Sequence, residues 1–153
     1  MRALLAAGML AATVDAALID AAWADGAQVF DTSCAFCHQA GGVGVPGQFP
    51  RLAGRIGVIA SNPDGKTFLP KVLLNGMSGR ITADGEEILG IMPGFDSMSD
   101  DDMAALLTYL TGLEHAPVAY SADEIKQARA QARRAPGEMA AERAVLTAKK
   151  IVP

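Results

Sequence analysis

Five residues, Cys34-Ala35-Phe36-Cys37-His38, constrain this chain more than any other stretch. They hold the only two cysteines of 153 residues, with a histidine directly after the second. C-x-x-C-H is the attachment pattern of a c-type haem. Two thiols one helical turn apart can each add to one vinyl group on a macrocycle edge, and the next residue then offers its imidazole to the iron. A thioredoxin-like redox pair would need a βαβ context that the sequence lacks. A tetrahedral zinc site needs about four Cys or His ligands, and the chain has two of each in total. The motif therefore predicts one covalent haem c, bound through Cys34 and Cys37, with His38 on the metal.

A chain of this length holds one small domain with additions. Half of its residues are hydrophobic but only 5% are aromatic, and a bound haem is a large apolar object that a small fold can wrap as its core. Residues 1–24 read as an export signal. Arg2 gives a positive start, Leu4 to Val14 an apolar run too short to span a bilayer, and Ala22-Trp23-Ala24 an A-x-A site cut after Ala24. Asp15 and Asp20 depart from that pattern, and a retained N-terminal anchor helix is the alternative. No other segment is apolar enough to span a membrane. Residues 25–113 carry ten acids and five bases, whereas residues 114–153 carry five acids and seven bases. An acidic body argues against nucleic acid as a partner. The basic tail suits an acidic partner.

Asp25 to Cys37 reads as a helix ending in the haem motif, with Gly26, Phe30 and Cys34 on one face. Gln39 to Gly54 is glycine-rich but lacks a preceding strand and a Gly-Lys-Ser/Thr end, so it suits a flat bulky ligand better than a phosphate. Within it, Pro50 offers a carbonyl acceptor that could hold the second nitrogen of His38 and fix its tautomer. Leu52 is expected on the haem edge. A second helix is expected over Lys66 to Leu74, starting nearer Phe68 so that Pro70 falls in its first turn. Gly79 and Gly85 are read as turns, and Asp84, Glu86 and Glu87 as a solvated face. Ser99 caps a helix from Asp100 to about Thr111 that buries Met103, Leu106, Leu107 and Leu110. Ser121 to Glu124 is a capping box for a helix to about Arg134, followed by a break at Pro136-Gly137 and a helix from Glu138 to Lys150.

An electron-transfer haem takes a second axial ligand, usually Met or His. His115 follows the last domain helix beside Pro117 and is expected to be exposed. Met103 fits a buried helical stripe, and Met77 lies in a glycine-rich turn. Met92 precedes Pro93, which biases it away from helix and stiffens an extended loop. Met92 is therefore the expected ligand.

The motif, together with Phe49-Pro50-Arg51-Leu52-Ala53-Gly54, Met92-Pro93-Gly94-Phe95 and the helix ending Tyr109-Leu110, resembles the class I c-type cytochromes over residues 25–113. More narrowly, it resembles bacterial periplasmic monohaem domains. The resemblance implies an all-α cytochrome c fold of three to five helices around one covalent haem with a partly exposed edge. It implies thioethers at Cys34 and Cys37, His38 as proximal and Met92 as distal ligand, and a Pro50 carbonyl holding His38. It also implies that Gly26 and Phe30 cross the last helix near Tyr109, and that Arg51, Arg55 and Arg80 are candidates to pair the propionates. Location in the periplasm follows, because bacterial c-type haem is attached outside the cytoplasm.

The implied function is one-electron transfer rather than catalysis by the chain itself, since no nucleophile–base pair is in view. The implied partner is a redox protein, a dehydrogenase donor or a respiratory acceptor. The C-terminal helical extension, residues 114–153, lies outside the resemblance and is left three fates: to fold back, to lie along a partner or to stay partly unfolded. Its basic helices favour a docking segment for a periplasmic dehydrogenase over a freely diffusing carrier. A haem sensor or peroxidase-like protein with an open sixth position is the rival from another class, and Met92 argues against it.

Overall fold

The computed structural model describes residues 16–131 and 133–153. Most of the expected export signal lies outside the described residues. Helix α1, Ala16–Ser33, runs through the expected cleavage position after Ala24. Trp23 meets Tyr109 edge-on, ring centroids 4.9 Å apart.

A one-turn helix, α2 (Ala35–His38), carries the motif after a break at Cys34. Helices α3 (Ile56–Ala60) and α4 (Pro63–Asn75) follow. Strands β1 (Met77–Ala83) and β2 (Glu86–Met92) then form an antiparallel hairpin, with Met77 opposite Met92, Gly79 opposite Gly90 and Ile81 opposite Ile88. Helices α5 (Asp100–Gly112), α6 (Ala122–Arg129) and α7 (Pro136–Ala148) complete the described chain.

The α1–α5 crossing depends on Gly26. A Cβ there would overlap the Ala105 carbonyl and the Tyr109 Cβ, so only glycine lets the two backbones meet. Phe30, fully buried, packs one turn along with its ring 5.7 Å from Tyr109. Helix α5 starts as expected, with the Ser99 hydroxyl accepting from the Asp102 N–H at 3.0 Å and three aspartates in the first turn.

Three expectations are corrected. The fold is mostly helical rather than all-α, because residues read as turns and a solvated face form the hairpin. Its turn is Asp84-Gly85, with φ of 53° and 81°, two left-handed residues whose twist matches that of the strands. Helix α4 starts at Pro63, capped by the Asn62 side chain, so Pro70 is interior and not in the first turn. Proline has no N–H for the carbonyl four residues back; the Tyr120 hydroxyl donates to that carbonyl, Lys66 O, at 3.0 Å. Helix α6 ends at Arg129, short of Arg134, and α7 begins at Pro136, where a missing N–H is no loss.

The tail folds back. Ile125, Met139, Leu146 and Val152 are buried in the same core as Phe30, Phe68 and Leu106. Its charges meet the acidic body directly: Arg129 pairs with Asp100, Arg133 with Asp96 and Lys149 with Asp64. The acidic partner that the basic tail suits is thus, in large part, the chain's own domain.

Candidate functional site

Helices α1 to α5 and α7, together with the hairpin, line a mostly apolar cavity of about 240 Å³. Cys34, Cys37, His38, Pro50, Leu52 and Met92 all line it, so every site residue expected from the sequence is brought to one place.

The floor is α2. His38 is 8% exposed, and its Nδ1 lies 2.9 Å from the Pro50 carbonyl oxygen. A carbonyl only accepts, so Nδ1 carries the proton and Nε2 keeps its lone pair. Burial pulls the imidazole below its usual pKa and outweighs the Pro50 hydrogen bond, which raises it. The ring is therefore a neutral donor at pH 7. Burial, and then the neighbouring Cys37, push the Cys34 thiol up to about 11.

The Pro50 carbonyl reaches His38 because the intervening loop doubles back tightly. The Gly44 N–H donates to the His38 carbonyl at 2.8 Å and the Leu52 N–H to the Gly42 carbonyl at 2.7 Å. Gly44 has φ of 71°, and a Cβ there would overlap Phe49 O, Pro50 C and Arg51 N.

The hairpin forms another wall. Met77, Gly79 and Ile81 of β1, and their partners Met92, Gly90 and Ile88 of β2, all line the cavity. The central pair carries no side chain, and a Cβ on Gly90 would meet no protein atom within 4 Å. The wall is thus flat in the middle, with a thioether pair at one end and a branched aliphatic pair at the other. The loop after Met92 is anchored to α4 by the Phe95 N–H, which donates to the Leu73 carbonyl at 2.7 Å.

Among the other sulfur and nitrogen candidates, Met103 and Met139 are fully buried core residues, and exposed His115 holds the Gly54 carbonyl at 2.8 Å. Met77 lines the cavity as Met92 does, which its reading as turn filler did not anticipate. Of the three candidate arginines, Arg51 and Arg55 reach the cavity. Arg80 instead pairs with Glu87 in solvent, at 2.8 Å. Arg143, from α7, also lines the cavity; nothing local in the sequence ties it to a motif a hundred residues earlier. A larger hollow of about 590 Å³ between α1 and the start of α5 is lined by Asp25, Gln28, Thr32, Asp101 and Asp102. It offers no comparable donor set.

Two thiols, a neutral imidazole, a hairpin wall that is flat at its glycine pair and carries two thioethers, and guanidinium groups in the lining fit a flat apolar ring that carries iron and an anionic edge. The cytochrome c family model matches residues 23–114 of this chain. The chain belongs to the cytochrome c family. It is 36% identical over 125 residues to cytochrome c-552 of Thermus thermophilus, covering 78% of this chain and 94% of that one. It is 35% identical over 120 residues to the fructose dehydrogenase cytochrome subunit of Gluconobacter japonicus, covering 73% of this chain but 23% of the relative. It is also 35% identical over 107 residues to the cytochrome c subunit of a quinone alcohol dehydrogenase of Gluconobacter oxydans, covering 22% of that protein. As a class I cytochrome c, this chain carries covalent haem c and transfers electrons. No helix among the described residues of this cytochrome is long and apolar enough to cross a membrane.

Proposed function

We propose that this cytochrome is a periplasmic carrier with a single His/Met-ligated haem, which takes electrons from a dehydrogenase. The observation that carries this reading is that His38, held by Pro50, and Met92, at the end of the hairpin, line the same cavity. In this reading Cys34 and Cys37 form the thioethers, and His38 and Met92 bind the iron. The bound haem supplies a one-electron couple that methionine ligation places at a relatively high potential.

The protein's own part is positional. Pro50 keeps the proton on Nδ1, so that Nε2 is always available as a donor. Cross-strand pairing with Met77 and the stiff Met92-Pro93 step hold the Met92 thioether in one place. Leu52, Ile59, Leu73 and Leu107 line the space around the donors and keep water out. Holding both ligands still through oxidation and reduction keeps reorganisation small, which a carrier needs.

The oxidised protein is expected to show a methionine-to-iron charge-transfer band that is lost in Met92→Ala and kept in Met77→Ala. Loss in Met77→Ala alone would move the ligand across the hairpin. No band in the wild type would revive the open-site reading.

Dehydrogenase cytochrome subunits among the relatives support the donor. The near full-length likeness to cytochrome c-552 supports a second reading, a freely diffusing carrier. Co-purification of the tagged full-length chain with a periplasmic dehydrogenase supports the first reading, and elution as a monomer reduced only by collision supports the second. Export is part of both. Cleavage after Ala24 would remove Trp23 from its contact with Tyr109, so the mass of the protein from periplasm reads out where processing occurs.

A further inference from the structure

Two arginines far apart in the sequence line the cavity and are both buried. Arg55, at the start of α3, is 6% exposed, and Arg143, on α7, is 8% exposed. Arg55 Nη1 donates to Asp84 Oδ1 at 2.7 Å, and its Nη2 donates to the main-chain oxygen of Pro153. Arg143 Nη2 donates to the Thr82 carbonyl at 2.8 Å. Among the described residues, no carboxylate lies within ion-pair distance of Arg143. The Asp84 carboxylate is shared by Arg55 and the half-exposed Arg51.

Arg55 is thus held by Asp84 and by the Pro153 oxygen, whereas the buried Arg143 guanidinium has one neutral carbonyl as its partner. A buried cation without a counter-charge is costly, and burial, followed by the charge of Arg55, holds Arg143 below its usual pKa. A carboxylate supplied from inside the cavity would balance Arg143. A guanidinium presents planar, forked donors that suit a carboxylate, and neither of these two spends its full set of donors on the protein.

Resting on the reading that haem c fills this cavity, we propose that Arg143 and Arg55 together form the binding site for a haem propionate. The C-terminal segment, beyond the family match at residue 114, is then a wall of the cofactor pocket, and Arg143 is a cofactor-binding residue.

The test uses the full-length holoprotein. In the reduced wild type, NMR should show Overhauser contacts between the propionate methylenes and the Arg143 δ-protons. Their absence overturns the proposal, provided the macrocycle still shows contacts to Ile88 and Leu107. If those are missing too, it is the placement of haem in this cavity that fails. Midpoint potential is the second readout. Arg143→Gln keeps a donor for the Thr82 carbonyl but removes a buried positive charge that disfavours the ferric state. The ferric-to-ferrous ratio at fixed potential should rise about tenfold, a fall of about 59 mV for one electron. Arg143→Lys should recover most of that shift. A lowered melting temperature with an unchanged potential in Arg143→Gln would reduce Arg143 to a clip between α7 and β1, and the proposal would be wrong.

Discussion

At the scale of single residues, the site hangs on backbone geometry as much as on donor atoms. Replacing Pro50 leaves its carbonyl in place, so the group that holds His38 is better tested through the glycine that lets the loop turn. Gly44→Ala adds a Cβ that overlaps the Phe49–Arg51 backbone, at φ of 71°. It should cost about 1–3 kcal/mol in denaturant unfolding and disturb the haem ligand spectrum. Gly47→Ala has the same φ and open space around it, so it should show the left-handed strain alone, about 1–2 kcal/mol, with the spectrum unchanged.

A second residue-scale effect is electrostatic. Slight burial raises the Asp84 carboxyl, but Arg55 and then Arg51 outweigh that and hold it below the usual range. A depressed acid contributes its stability above the usual carboxylate pKa and loses it as pH falls toward the folded value. Melting temperature should therefore fall as pH drops below about 4, and Asp84→Asn should flatten that part of the curve. That Cys34, Cys37, His38, Pro50 and Met92 gather at one cavity was legible in the sequence, the first three from the fixed C-x-x-C-H spacing, Pro50 as a carbonyl acceptor and Met92 from the proline that follows it. Arg143 was not, because its relation to the site exists only once the tail has folded back.

Elements tell a similar story with a different cause. The hairpin carried one strong signal, Asp84-Gly85 between two apolar segments. Its strands did not read as strands because one face lines a cavity rather than packing on protein. Gly79 and Gly90 stand where an ordinary strand would place branched side chains. Gly90→Val has the better strand propensity, yet it would fill the flat middle of the hairpin wall. The expected outcome is an intact fold with less haem per protein, measured as the ratio of haem to protein absorbance.

Helix α4 shows how a local rule is overridden from a distance. An interior proline should break it, but the carbonyl that Pro70 leaves unpaired is capped by Tyr120, which comes from the segment after α5. Tyr120→Phe should cost about 1–3 kcal/mol by stranding that carbonyl. In a Pro70→Ala background the restored N–H takes over, so the same change should cost much less. A double-mutant cycle on denaturant midpoints measures the difference.

For the whole molecule, the question is whether residues 114–153 are an appendage or part of the body. The sequence offered two bare, alanine-rich helices, and helices of that kind do not hold together alone. What it could not display was the acidic body waiting for them, or the gaps that Ile125, Met139, Leu146 and Val152 fill in the common core. The surface ion pairs contribute little individually, about 0–1 kcal/mol each and less in salt. Burial of the four apolar side chains, at about 1.5–3 kcal/mol each, decides the matter. A chain ending at residue 119 loses these four, the Tyr120 cap on α4 and Arg143 in the cavity lining. It should fail to accumulate as folded holoprotein, seen as lost haem absorbance and rapid proteolysis in cells that mature the full chain normally. A truncated protein that folds, keeps its haem and its potential, and loses only a partner would instead restore the tail to a docking segment. The burial seen here would then be incidental to stability. Because the two outcomes differ in haem content before any partner is added, the comparison needs no knowledge of the redox partner.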